Sequence, residues 1–227
     1  MSEVSEMRPE ALVRDDADAR RLLQWALGVF QKWPEEFGGF SAAMRCCDGS
    51  RTVDGEVCVF PGGRVMLDVG CDDALTAWVQ GALSAISWAR TPRFFKDGEG
   101  RFPITFEPDD GHHLGRGVRV HLGDGAWRTY RVDFKGRIRQ QEDAELARRA
   151  TVTYDDFIRT CPGRTLPRRI RLRQCDATTD SVVETAEIAD LYERRSHVWL
   201  PVGRRAVVAE MANRREFAFE LTAHRLL

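Results

Sequence analysis

The sequence lacks most of the features by which a function announces itself. No stretch reaches the roughly 18 apolar residues of a membrane-spanning helix. Residues 1–20 hold no apolar run of the roughly 7–15 residues that a secretory signal requires, so the expected compartment is the cytoplasm. Neither sign of charge dominates: 34 Lys and Arg stand against 35 Asp and Glu, for a formal net charge of −1. No global field therefore draws the chain to nucleic acid or to an anionic bilayer, and no nucleic-acid partner is expected. The phosphate loop G-x-x-x-x-G-K-S/T, a G-x-G-x-x-G after a strand, the G-x-S-x-G elbow and H-E-x-x-H are all missing. Their absence weakens nucleotide, hydrolase and zincin readings. Six cysteines (Cys46, Cys47, Cys58, Cys71, Cys161, Cys175) show neither C-x-x-C spacing nor a paired histidine pattern. Without a secretory signal they read as reduced, mostly buried small side chains. No metal site is expected from them, and the sequence names no cofactor.

What is present is a globular composition, with 43% hydrophobic and 30% charged residues in 227. This length suits one large β-rich domain. Residues 1–12 are polar and are expected to be disordered; residues 13–227 are expected to form the single domain. Asp15, Asp16 and Asp18 place negative charge where a helix N-terminus favours it. Leu22, Ala26, Val29, Phe30, Trp33 and Phe37 then recur at three- and four-residue steps, until Pro34 and Gly38-Gly39 end the helix. Segments 40–48, 52–60 and 64–69 read as three antiparallel strands, punctuated by Asp48-Gly49, Asp54-Gly55 and Pro61-Gly62-Gly63. Asp54-Gly55 can alternatively split the second strand as a bulge or tight turn.

A second helix is predicted over 73–90, capped by Asp72 or Asp73. Between Asp73 and Arg90 it carries no charged side chain. Leu75, Val79, Ala82 and Ile86 form one stripe, and Trp78, Ala85 and Trp88 lie off it. The apolar surface nearly encircles the helix, which predicts burial on most sides. Gly81 costs about 1 kcal/mol of helix propensity, so a close neighbour is expected there. From Arg101 onward strand follows strand, at 102–106, 117–122, 127–134, 137–141, 150–155, 166–173, 182–192, 198–200, 206–211 and 216–221. Clean alternation marks antiparallel sheet with one wet and one dry face. Residues 96–100 read as the loosest loop. The fold class that follows is α+β: a large curved antiparallel sheet of roughly ten strands, an open half-barrel, wrapped around a central apolar helix, plus an N-terminal helix.

Several stretches carry a resemblance: FGGFSA at the first strand, DDALTAWVQGALSAI in the uncharged helix, and HVWLPVGRR followed by FAFELTAHRLL at the end. They resemble the uncharacterised domain of unknown function 3386 family, over about residues 20–227. The order of elements also resembles the architecture of LolA-like lipoprotein carriers, open half-barrels whose helices lie across an apolar concave face that binds acyl chains. The chain departs from those carriers in showing no signal peptide.

Four groups of residues are candidate sites. Trp78, Val79, Ala82, Ile86 and Trp88 of the uncharged helix can line a ligand cavity, or can simply fill a densely packed core. In Asp109-Asp110-Gly111-His112-His113, the residues Asp110, His112 and His113 are candidates for acid–base work. Adjacent histidines on a strand point to opposite faces, and a polar turn is the plainer reading. His121, His197 and His224 stand alone in sequence. Cys46-Cys47 likewise faces both sides of a strand, with Arg45 as the adjacent cation that a reactive thiolate needs. Arg164, Arg168, Arg169, Arg171 and Arg173 can meet phosphates, or can form a solvated strand face paired to carboxylates such as Glu184 and Glu187.

Three functions remain open. The leading one is binding or carriage of a lipophilic small molecule in the concave apolar face of the half-barrel. The rivals are an enzyme acting on a hydrophobic or peptide substrate through an Asp/His site, and a protein-interaction or assembly module with a filled core.

Overall fold

The computed structural model describes residues 13–70, 73–108, 111–145, 147–210 and 213–227. In chain order the elements are α1 (Ala17–Val29), β1 (Phe40–Cys47), β2 (Thr52–Val59), β3 (Val65–Val69), α2 (Asp73–Arg90), β4 (Ile104–Phe106), β5 (Arg116–Gly123), β6 (Ala126–Val132), β7 (Ile138–Ala144), β8 (Arg148–Cys161), β9 (Arg164–Asp176), β10 (Val182–Arg195), β11 (Val198–Glu210) and β12 (Asn213–Leu226). The strands join one antiparallel sheet in the order β3-β2-β1-β12-β11-β10-β9-β8-β7-β6-β5-β4. The meander runs in chain order from β4 to β12, and β12 then takes β1 as its outer neighbour. Because β3 and β4 are free edges, the sheet is an open half-barrel.

Alternation predicted most of these strands, and their departures have local causes. Asp54-Gly55 does not interrupt β2. Gly55 pairs with Val69, and a Cβ there would stand 2.2 Å from Val69 Cγ1, so the glycine admits a close neighbour rather than a turn. Segments 198–200 and 206–211 are one continuous strand, β11, because Pro201 and Gly203 are accommodated beside a register shift at Leu191/Tyr192 of β10. Residues 96–100 are not a loose loop. They lie in two 3₁₀ turns, pinned by Phe95 against the core under α1 and by Glu99, which accepts a hydrogen bond from the Tyr130 hydroxyl at 2.9 Å. The expectation of a disordered segment at 1–12, and the caps expected of Asp72 or Asp73, lie outside the described residues.

Helix α1 starts where its acids predict. Asp16 is the N-cap, accepting from the backbone N–H groups of Asp18 (2.8 Å) and Ala19 (3.1 Å). Its buried face, Ala19, Leu23 and Ala26, packs on Ile104, Val118, Val120, Tyr130 and Val132 of β4–β6. The helix stops at Val29, earlier than the apolar spacing suggested. Phe30 turns extended and bridges Thr165 in parallel, and the Gln31 N–H donates to Thr165 O at 2.9 Å. Proline at 34 also disfavours helical backbone at Trp33. Trp33 and Phe37 reach the core from either side of a turn closed by the Phe37 N–H on Pro34 O (3.1 Å), and are 2% and 7% exposed.

Helix α2 corrects the strongest structural expectation. Leu75, Val79, Ala82, Leu83 and Ile86 are buried, but Ala74, Ala77, Gln80, Gly81, Ala85 and Trp88 face outward, Trp88 being 52% exposed. Nothing lies within 4 Å of a Cβ built on Gly81. The helix is not encircled by the sheet; it lies over the β1–β3 and β12 end. Absence of charge did not mean burial, because alanine and glycine expose little apolar area per residue. Its polar residues instead tether it to the turn at Pro61–Gly63: Ser84 Oγ donates to Gly63 O (2.7 Å), and Ser87 Oγ and Thr91 Oγ1 accept from the N–H groups of Gly63 (3.1 Å) and Gly62 (2.7 Å). Its last residue, Arg90, is 1% exposed and donates to Trp199 O at 3.0 Å, between the Trp33 and Tyr192 rings. Among the described residues no helix is long and apolar enough to cross a membrane.

The sheet also buries an ion pair. Arg204 on β11 grips Asp190 on β10 through two hydrogen bonds, at 2.6 and 2.8 Å, with side chains 9% and 2% exposed. Removing one partner strands a buried charge, which costs about 3–5 kcal/mol, whereas replacing both with apolar groups is often nearly neutral. Urea unfolding of Asp190→Ala is therefore expected to show a loss in that range. The double variant Asp190→Leu/Arg204→Met should recover most of it. A single-variant loss below about 1 kcal/mol would show the pair to be solvated.

Candidate functional site

The two helices cover opposite ends of the sheet face and leave a gap between them. In that gap lies a cavity of about 290 Å³, lined by both helices and by β6–β9. Its apolar wall includes Leu27 and Val29 of α1, Phe30 just beyond it, Ile138 of β7 and Phe157 of β8. Trp88 and Ala89 close it from the end of α2. The geometry follows from local rules: α1 must end at Val29 so that Phe30 can join β9, and this brings residues 30–33 across to the C-terminus of α2. There Lys32 Nζ donates to Ala89 O and the Trp33 N–H donates to Arg90 O at 2.8 Å, satisfying two of the orphan carbonyls of the helix end.

The polar part of the lining is specific. Arg128 pairs with Asp143 and, at 3.3 Å, with Glu99. Burial pulls the Arg128 guanidinium down, but Tyr130 and Asp143 outweigh it and hold it above its ordinary value. Burial, and then Glu99, pushes the Tyr130 hydroxyl well up. Burial, and then Asp143, pushes Tyr154 up to about 12. Arg137 is held by Asp133, whose carboxylate also accepts from the N–H groups of Lys135 and Arg137, both at 2.9 Å. Lys32 differs from these. Burial above all, and then Arg93 and Arg90, lowers its ammonium to about 8.

The structure separates the residues singled out in sequence. Of the helix candidates, Trp88 lines this cavity, while Val79, Ala82 and Ile86 belong to the core. Trp78 stacks on Phe217, ring centroids 5.0 Å apart, beside a second hollow of about 320 Å³ over β9–β12, with Glu184 and Glu210 at its rim. The five therefore do not form one site.

His112 and His113 are not on a strand; they sit in a turn before β5 with their rings stacked at 4.6 Å. Both line a groove that also holds Trp25, Asp133, Arg137 and Arg139; the polar turn is the reading the structure shows, so the opposite-face rule for strands does not apply to them. The groove's described carboxylate, Asp133, is already engaged by Arg137. Asp110, the partner proposed for the histidines, lies outside the described residues. His121 meets the Thr105 hydroxyl at 3.0 Å, and His224 meets Pro201 O at 3.0 Å.

Cys46 is buried, as is Cys175, but Cys161 is exposed. The arginine row on β9 is exposed, and its ion pairs run to β8 rather than to β10: Arg168 to Asp156 (2.9 Å) and Arg171 to Asp155 (2.6 Å). Among the described residues no group of three or more His, Cys, Asp or Glu is placed to hold a metal ion.

Sequence reasoning missed Lys32, Arg128, Tyr130 and Tyr154 as lining residues. One signal was available: the chain has only three lysines, and Lys32 sits inside an apolar run, Val29-Phe30-Gln31-Lys32-Trp33.

The chain belongs to the family described as "Protein of unknown function (DUF3386)", whose model matches residues 14–227. No curated protein matches it in sequence. Solved structures similar in arrangement include a LolA superfamily protein from Nitrosomonas europaea, 9% identical, covering 92% of this chain and 93% of that one with a TM-score of 0.37. A candidate outer membrane lipoprotein-sorting protein domain from Vibrio parahaemolyticus is 10% identical, with 91% of each chain covered and a TM-score of 0.34. A DUF1329 family protein from Desulfovibrio piger is 11% identical, with 94% and 93% covered and a TM-score of 0.35. Superpositions this loose say nothing about what the present chain binds.

The lowered Lys32 amine has a direct readout. Because its folded value of about 8 lies below the ordinary 10.5, the buried cation costs stability at neutral pH, and that cost fades as pH rises from about 8 to 10.5. Amine acylation followed by peptide mass spectrometry should show the Lys32 rate levelling off above about pH 8–9. In the urea-unfolded chain the Lys32 rate should keep climbing past that point, because the amine returns to its ordinary value of 10.5. Matching Lys32 profiles in the folded and the unfolded chain would refute the assignment.

Proposed function

We propose that this protein binds or carries a lipophilic small molecule, held on the concave face of the half-barrel in the cavity between its two helices. The observation that carries this reading is the cavity itself. It is concave, bounded by two helices and four strands, and walled largely by apolar and aromatic side chains with a few converging polar groups. That combination is the usual make-up of a small-molecule site, and volumes of about 300 Å³ and above are typical. A core left unfilled without a ligand loses dispersion contacts along its lining, so an occupant of matching polarity would stabilise the fold. The acid–base alternative has weaker support, because Asp133, the described carboxylate in the groove of the stacked histidines, is committed to Arg137.

The test is native mass spectrometry of the purified protein with solvent extraction, together with titration of a neutral hydrophobic dye. A stoichiometric adduct or saturable dye binding is expected. Ala89→Phe, which fills the cavity from the end of α2, should weaken dye binding at least about tenfold, or 1.4 kcal/mol. Ala85→Phe, on the exposed outer face of the same helix, should leave it unchanged. Folded protein that releases no lipid and binds no hydrophobic dye would exclude the reading.

A further inference from the structure

The cavity's charges do not cancel. Its lining holds four cationic side chains, Lys32, Arg93, Arg128 and Arg137, against one carboxylate, Glu99. Two of the cations are neutralised within the fold: Arg128 by Asp143 and Glu99, and Arg137 by Asp133. Glu99 is engaged by Arg128 and by the Tyr130 hydroxyl. The other two have no carboxylate partner among the described residues. Lys32 donates to the neutral Ala89 carbonyl, and Arg93 stacks over the Trp88 ring at 4.5 Å, exposed at the cavity's edge. A desolvated ammonium beside an unpaired guanidinium, at one end of an apolar chamber, has the polarity of an amphiphile's headgroup site.

We infer that the ligand of this cavity is an apolar chain ending in a carboxylate, with the chain against Leu27, Ile138 and Phe157 and the carboxylate between Lys32 and Arg93. This rests on the cavity being a lipophile site and adds the headgroup to it. A carboxylate answers both requirements. It supplies a counter-charge to Lys32, whose carboxylate neighbour Glu99 is engaged by Arg128 and Tyr130, and as a monoanion it asks less desolvation than a phosphate in a chamber whose walls are mainly apolar.

The charged and titratable groups that face Lys32 make the inference sharp. Arg93, Arg128 and Arg137 are the guanidinium groups of the lining, Glu99 is its one carboxylate, and Arg90, outside the lining, is lowered only to about 10. Tyr130 and Tyr154 are pushed upward, so neither ionises below about pH 10. Between pH 7 and 9.5, Lys32 is the lining residue whose charge changes. Carboxylate binding favours its protonated form. Affinity should therefore be flat below about pH 8 and then fall, by at most about tenfold per pH unit.

The experiment is calorimetric titration of the full chain with dodecanoate, dodecanol and dodecylamine, each below its micelle concentration, at pH 7.0 and 9.5. Dodecanoate is ionised at both values, so a change in its affinity reports the protein. The expected result is dodecanoate at least about tenfold tighter than dodecanol and dodecylamine weakest at pH 7.0, with the dodecanoate advantage largely lost at pH 9.5. Lys32→Met should remove both the preference and its pH dependence while leaving dodecanol within about twofold. Arg93→Gln, at an exposed position, should weaken dodecanoate alone, and it carries the test should Lys32→Met fail to fold. Equal binding of dodecanoate and dodecanol, or an undiminished preference in both variants, would overturn the headgroup assignment and leave the lipophile reading standing. No binding of any of the three would sink the lipophile reading itself.

Discussion

The carbonyl of Trp199 is where this structure is held together. It accepts from Trp33 Nε1 at 3.1 Å and from Arg90 at 3.0 Å, so the segment after α1 and the last residue of α2 meet at one point on β11. The Trp33 N–H returns a bond to Arg90 O, and Lys32 takes Ala89 O. A half-barrel with two free edges has no closure of its own to set its curvature. Here the helices are fastened to the sheet and to each other instead. Each then buries a separate cluster of side chains, and the space between them is left as a cavity rather than packed.

That clasp is also electrostatically demanding. Arg90 is buried with no carboxylate partner among the described residues, and burial lowers it to about 10. Flanking aromatic faces offset part of the cost through their negative quadrupoles. Its charge is felt at Lys32, whose own value it helps to depress. The stability of the helix junction and the polarity of the cavity are thus coupled: the cations that hold the ends of α1 and α2 in place leave positive charge facing the chamber. Elsewhere the fold pairs its charges locally, as at Asp190–Arg204 and along the exposed arginines of β9.

Much of the architecture was legible because it rests on period and punctuation. Alternation along β8, β9 and β12, the Asp16 cap and the breaks at Asp48-Gly49 and Pro61 are local properties, and local energetics decide them. Legibility failed at residues whose role depends on what lies across the fold. Phe30, Trp33 and Phe37 continue a helical spacing, but backbone pairing with Thr165 and Arg90 overrode it. Trp78 and Trp88 looked like one surface ten residues apart, yet they line two separate hollows. Residues 96–100 read as polar and loose until Glu99 found Tyr130 and Arg128 from β6.

By itself, then, the sequence determined an antiparallel sheet with one dry face, two helices to cover it, and membership of a family recognisable from its opening and closing strands. These follow from periodicity and from short-range chemistry, which the chain carries in every conformation. The tertiary structure alone decided that α2 would cover one end of the sheet and leave its outer face exposed. It also decided that α1 would stop at Val29, and that a lysine between two aromatic residues would face a chamber beside two arginines. Such outcomes depend on contacts between residues tens to more than a hundred positions apart, and no local pattern encodes the distance, burial and charge that only the folded chain brings together.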